Sequence, residues 1–151
     1  LPEELSYAEV AAVACGTGTA YGALRRMNLA GGSTLAVFGQ GPVGISATLL
    51  GARMGARVIA VETNAERLKL AKQFGADAVV DSSKGDVEKA LKELTRGEGV
   101  DLALDCTGVA AARLAAVRAA TRAMAPPLPA ASATRPAVRA PATRPESRQK
   151  R

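Results

Sequence analysis

The stretch TLAVFGQGPVGISATLLGARMGARVIAVE, Thr34 to Glu62, decides how this chain folds. It opens on an apolar run, Leu35 to Phe38, rich enough in β-formers for a buried strand. Gly39-Gln40-Gly41-Pro42-Val43-Gly44 follows at once, then an apolar-periodic helical segment to Met54, a second apolar run Val58 to Val61, and Glu62. Strand, glycine turn, helix, strand and carboxylate stand in the order that a dinucleotide site requires. Gly39 permits the tight turn off the strand. Gly41 has no Cβ to hold the backbone away from a pyrophosphate, and Gly44 lets the helix pack close to the sheet. The helix N-terminus then aims free N–H groups and the positive end of its dipole at the phosphates. Glu62 falls 18 residues after Gly44, where a carboxylate accepts hydrogen bonds from a ribose 2′-OH. A bare GxGxxG also fits a plain strand-turn-helix corner whose glycines only relieve crowding. The strand before it, the helix after it and the acid favour the nucleotide.

Outward from this stretch, composition divides the 151 residues in two. Residues 1–108 hold 11 Lys+Arg against 13 Asp+Glu, so this part is mildly acidic. Residues 109–151 hold 9 Lys+Arg and a single acid, Glu146, so the overall charge of +6 belongs to the tail. All glycines and all aromatics lie in the first part. Two cysteines with no CxxC argue against a disulfide scaffold or a structural zinc site and suit a reducing cytosol, hence a cytoplasmic protein. No apolar run reaches the ~20 residues of a membrane span, and no signal peptide is recognisable. Leu1 in place of a methionine points to a chain that begins inside a longer protein.

Ser6-Tyr7-Ala8-Glu9 reads as a capping box ahead of an apolar helical stripe, Val10 to Cys15. Gly16-Thr17-Gly18-Thr19 is expected to interrupt that helix, with Tyr21 to Met27 resuming it. On spacing alone Cys15 reads as a buried small hydrophobe. A catalytic zinc site needs three protein ligands, and the chain contains no histidine.

Three segments, LPEELSYAEVAAVACGTGTAYGALRR, GGSTLAVFGQGPVGISA and GARVIAVETNAERLKLAKQFGAD, together resemble the medium-chain, zinc-dependent alcohol dehydrogenases, including their polyol and threonine dehydrogenase relatives. The resemblance runs in order from about Leu1 to Ala116. It implies a NAD-dependent oxidoreductase with Cys15 in the place of one catalytic-zinc ligand. It also implies that Thr19 and Val43 lie on the nicotinamide side of the cofactor. The family's remaining zinc ligands and its structural zinc lobe come from a catalytic domain with no counterpart here, so Cys15 stands as an orphaned ligand. Threonine dehydrogenase-like relatives pair an acid and an arginine at the spacing of Glu62 and Arg67 while using NAD. Family members are homo-oligomers acting on small alcohols or polyols.

Further along, Thr63-Asn64-Ala65-Glu66 reads as a second capping box opening a helix with Leu68, Leu70, Ala71 and Phe74 inward, closed by Gly75. Ala78 to Val80 is a third strand ending at Asp81. A helix from about Asp86 to Arg96 follows, with Val87, Ala90, Leu91 and Leu94 on one face and a solvated charged face opposite. Leu102 to Leu104 is a fourth strand ending in Asp105-Cys106-Thr107-Gly108. The resemblance makes Thr107 and Gly108 cofactor candidates, although a plain strand-to-helix turn fits them equally. The expected fold is a Rossmann-like, doubly wound parallel α/β sheet, incomplete at about four strands. Rossmann order leaves the fourth strand as an edge open to pairing with another chain.

Val109 to Met124 begins as a helix with Leu114 and Val117 on one face. Residues 109–151 then contain 15 Ala, 8 Arg and 6 Pro, a composition that cannot offset its ordering entropy. Disorder is expected beyond about Met124. Alanine, arginine and proline are also what GC-rich DNA encodes in a shifted frame, which points to a frameshift between Ala116 and Ala120. A basic tail binding nucleic acid ranks below that, for want of aromatics to stack on bases. The expected organisation is a helical hinge segment at 1–30, a partial dinucleotide-binding domain at 31–122 and a basic tail at 123–151. The expected function is the NAD-binding portion of a zinc-type alcohol or polyol dehydrogenase, inactive as this chain. The competing readings are a non-catalytic NAD-binding module and an unstable product of a frameshifted gene.

Overall fold

The computed structural model describes residues 3–120. Four parallel strands, β1 (Thr34–Phe38), β2 (Arg57–Glu62), β3 (Ala78–Asp81) and β4 (Leu102–Asp105), form one sheet in the order β3-β2-β1-β4. Helices α3 (Pro42–Arg53), α4 (Ala65–Gln73) and α5 (Val87–Leu94) make the successive crossovers, and α6 (Ala110–Ala119) follows β4. This is the expected doubly wound α/β sheet, Rossmann-like and four-stranded among the described residues. Among the described residues β4 has, as expected, a hydrogen-bonded strand on one side only, apart from a single parallel bridge between Val100 and Ala120.

Side chains alternate across a strand, so β1 feeds both faces of the sheet. Ala36 and Phe38 join Ile59, Val61, Val80 and α5's Leu91 on one face, which α6 closes with Ala116 and Ala119. Leu35 and Val37 join Val58, α3's Ala47 and two N-terminal-helix residues, Ala20 and Leu24, on the other. All of β1 beyond Thr34 is buried, which is why its sequence is an unbroken apolar run.

Several local expectations are corrected. The N-terminal helix does not break at Gly16: α1 (Tyr7–Ala12) passes through a π-helical turn, Val13–Thr17, straight into α2 (Gly18–Arg26). The turn absorbs an extra residue without losing the helix. Gly16 is buried there against Pro42, where an added Cβ would make only an ordinary contact, 3.4 Å from the Pro42 carbonyl oxygen. Ser6 precedes α1 as expected, while the side chain of Glu9 lies outside the described residues. At α4 the cap is Asn64, whose Oδ1 accepts from Glu66 N and Arg67 N, rather than Thr63. The Thr63 hydroxyl donates instead to Glu62 Oε1, and Glu66 pairs with Lys69. Of the four apolar positions on α4 only Leu68 and Ala71 are buried, with Leu70 and Phe74 exposed.

Leu114 and Val117 do share one face of α6, and it is the exposed one. They are 50 % and 69 % exposed, and the alanines face inward. Small side chains let α6 lie close to β4 and α5, so the helix turns its larger residues out. The expectations for 123–151, including disorder and the shifted frame, lie outside the described residues. No helix among the described residues is long and apolar enough to cross a membrane.

Candidate functional site

The carboxyl ends of β1, β2 and β4 meet around the glycine turn. Gly39 leaves β1 at φ +82°, a left-handed conformation that favours glycine. Its N–H donates to Val61 O of β2 at 2.7 Å, and Cys106 N donates to Phe38 O at 2.8 Å, tying the turn between both neighbouring strands. A Cβ at Gly39 would come within 2.9 Å of the Thr107 methyl, and one at Gly44 would collide with the Gly39 carbonyl oxygen. Gly41 differs from both. It has φ −74°, open to any residue, and a Cβ there would meet nothing within 4 Å. Gly41 caps α3 with no side chain, and Pro42 occupies the first helical position, where its missing N–H costs nothing. The helix therefore presents an uncapped N-terminus with space in front of it.

Glu62, at the end of β2, is only 8 % exposed, yet its carboxylate is richly bonded. Oε1 accepts from Thr63 N, Thr63 Oγ1 and Asn64 N, and Oε2 accepts from Gln40 N at 2.7 Å. Arg67 Nη1 stands 3.6 Å from Oε2. Three of these four hydrogen bonds fall on Oε1, so Oε2 accepts one, from Gln40 N, and is otherwise faced by Arg67. At the end of β4, Asp105 Oδ1 accepts from Thr107 N and, at 2.6 Å, from Thr107 Oγ1. Gly108 follows at φ +71°. Thr107 and Gly108 are thus built into an ordered turn against Gly39.

Burial alone raises the pKa of both Glu62 and Asp105, but the hydrogen bonds outweigh it. Each carboxyl titrates below its ordinary value, 4.5 for Glu62 and 3.8 for Asp105. Each binds its proton more weakly in the folded state than in the unfolded one. The stability so gained is complete above the ordinary value and is lost as pH falls through the lower folded value. Melting temperature is therefore expected to hold down to about pH 5 and to fall below roughly pH 4.5. Glu62→Gln should flatten part of that fall, and an unchanged acid limb in the variant would contradict this account.

Cys15 and Cys106 have different surroundings. Cys106 is half-buried with its Cβ facing Gly44, and burial, aided by neighbouring Asp105, pushes its thiol up to about 11. Cys15 is exposed on the π-helical turn, which overturns the buried-hydrophobe reading. That turn is stitched to the start of α3, because Thr17 Oγ1 and Ser46 Oγ lie 3.2 Å apart and Ser46 Oγ donates to Pro42 O. Thr19 is exposed one residue into α2, and Val43 is half-buried in the first turn of α3. Among the described residues no group of three His, Cys, Asp or Glu could hold a metal ion.

The sequence reading missed Gln40 and Thr48. Gln40 is 2 % exposed, donating through Nε2 to Val37 O and accepting through Oε1 from Thr48 Oγ1. A polar residue inside an otherwise apolar strand-turn segment was the available signal.

A family profile described as "Zinc-binding dehydrogenase" matches residues 42–124, more than half of the chain. The chain belongs to that family. It is 42 % identical over 120 residues to an uncharacterised zinc-type alcohol dehydrogenase-like protein of Escherichia coli K12, covering 78 % of this chain and 34 % of that protein. It is 36 % identical over 113 residues to a D-arabitol-phosphate dehydrogenase of Enterococcus avium, covering 72 % of this chain and 31 % of that protein. Among solved structures, the alcohol dehydrogenase of Thermus sp. ATN1 superposes with a TM-score of 0.75 at 31 % identity, covering 80 % of this chain and 35 % of that one. The chain therefore spans about a third of the length of these proteins. The medium-chain alcohol dehydrogenase resemblance holds, the relatives are named as dehydrogenases, and the family is one of NAD- and zinc-using enzymes.

Proposed function

We propose that this chain is the NAD-binding part of a zinc-type alcohol or polyol dehydrogenase, holding the cofactor for hydride transfer to or from an alcohol. Gly41 carries this reading. Neither its backbone angles nor its surroundings require a glycine, whereas a pyrophosphate lying against the N-terminus of α3 does. In this reading Gly39 and Gly44 shape the turn, Pro42 and Val43 open the helix beneath the cofactor, and Glu62 Oε2 accepts from the adenosine ribose. Thr107 and Gly108 wall the cleft from β4, while Thr19 and Val43 lie towards the nicotinamide. Residues 1–30 act as a helical hinge and 31–122 as the dinucleotide-binding unit of a cytoplasmic homo-oligomer. The described residues do not fit a zinc ion, since Cys15 stands without further ligands, so no step is assigned to the metal. A non-catalytic NAD-binding module is the second reading, favoured by that isolated Cys15.

The cofactor is expected to be NAD rather than NADP. Glu62 would face the extra 2′-phosphate at close range, and like charges ~4 Å apart repel by about 4 kcal/mol at an effective dielectric near 20. Solvent reduces that to tenfold or more in affinity. Arg67, held toward Glu62, is already partly neutralised and does not reverse the preference. Titration of both cofactors tests this, with Glu62→Ser expected to narrow the gap; tighter NADP binding by the unmodified chain would overturn the reading.

A further inference from the structure

We propose that Gln40 and Thr48 are positioning residues that set the path of the phosphate turn, so that pyrophosphate affinity depends on a buried strut beneath it. The proposal rests on the dinucleotide reading above and adds a determinant outside the glycines and the acid. Gln40 lies between Gly39 and Gly41, yet its side chain points down into the protein rather than toward a ligand. Nε2 donates to Val37 O on β1 at 3.0 Å, and Oε1 accepts from Thr48 Oγ1 on α3 at 2.9 Å. Its backbone N–H donates to Glu62 Oε2 at 2.7 Å. One residue therefore joins β1, the end of β2 and the second turn of α3. Thr48 is fully buried, so no solvent competes for its hydroxyl.

The consequence is geometric. A tight phosphate contact needs the amides at the start of α3 and the space at Gly41 to hold one arrangement before the ligand arrives. The glycines make the turn permissive, with freedom that would otherwise be lost on binding. The strut removes that freedom in advance. Because Gln40 N–H is committed to Glu62, the phosphate must be met by groups after Gln40, at the mouth of α3.

The test uses the 151-residue chain and four proteins: unmodified, Gln40→Met, Thr48→Val and the double variant. NAD, ADP-ribose and adenosine are titrated by calorimetry or ligand-observed NMR. Gln40→Met, which removes the bonds to both Val37 O and Thr48 Oγ1, is expected to weaken NAD and ADP-ribose about tenfold or more. Adenosine, which lacks the pyrophosphate, should change less than about twofold. The double variant should bind no worse than Gln40→Met, because the two residues share one bond. Thr48→Ser, which keeps the hydroxyl, should bind as the unmodified chain does. Where Gln40→Met fails to fold, the near-isosteric Thr48→Val decides alone, with the same selective loss expected. Equal loss of all three ligands, or unchanged NAD affinity in folded variants, would overturn the strut. If the unmodified chain binds adenosine and NAD equally or neither, the dinucleotide reading falls and the strut falls with it.

Discussion

Gly44→Ala is expected to abolish measurable NAD binding and to lower stability by about 3 kcal/mol, the upper end of ordinary overpacking. An added Cβ would collide with the carbonyl oxygen of Gly39 and lie 2.9 Å from its carbonyl carbon. Both are backbone atoms, so no rotamer change relieves the clash. The turn cannot retreat either, since Gly39 N is bonded to Val61 O and the Thr107 methyl closes its other side. Only an outward shift of α3 remains, and that moves the helix N-terminus off the phosphate position. Gly41→Ala supplies the contrast. Its Cβ meets nothing in the protein, so melting should be unchanged while NAD binding falls comparably. Thermal melting and calorimetric titration of both variants separate a turn that needs glycine from a ligand that needs it. NAD binding by Gly44→Ala at the unmodified affinity would show that the turn gives way more easily than its hydrogen bonds imply.

Much of the fold was legible because its signals are local. Leu35 to Phe38 and Val58 to Val61 are unbroken apolar runs, and a strand covered on both faces needs that pattern. Gly75 at φ +103° ends α4 for the reason its position suggested, since few other residues adopt that angle. Errors arose where tertiary packing chose between locally equivalent options. Thr63 and Asn64 both cap helices well, and Glu62 decided between them by engaging the Thr63 hydroxyl. Helical spacing puts Leu114 and Val117 on one face of α6 but does not say which way that face turns, and in the fold the alanines Ala116 and Ala119 take the core side while the two larger residues are exposed.

The turn at Gly39 and the place of Glu62 at the end of β2 beside it follow from chain order alone. The environment of Glu62 does not. The carboxylate that should greet a ribose already serves Gln40, Thr63 and Asn64, and only the folded geometry brings residue 40 to residue 62. Gln40 was overlooked because a position between two glycines carries no periodicity to read. Cys15 is exposed because the stripe it belongs to, Ala11 to Ala14, is itself exposed among the described residues, which helical spacing alone does not reveal.

That geometry sets the remaining expectation: the purified chain, given zinc, NAD and an alcohol, should show no turnover above background. A catalytic zinc takes three protein ligands and leaves the fourth position open. The chain has no histidine and only two thiols, Cys15 and Cys106. Cys106 is a poor second ligand, because burial raises its thiol to about 11 and its Cβ faces Gly44 beneath the turn. Exposed Cys15 can meet a metal, but one thiolate fixes neither tetrahedral geometry nor an alcohol oxygen beside a nicotinamide. Cofactor binding should nevertheless survive Cys15→Ser, because the phosphate turn draws nothing from that side chain. Absorbance of reduced NAD, followed with and without zinc for the unmodified chain and Cys15→Ser, reads both statements at once. Zinc-dependent turnover that vanishes in Cys15→Ser would overturn the expectation and place the missing ligands on a second polypeptide docked against the π-helical turn.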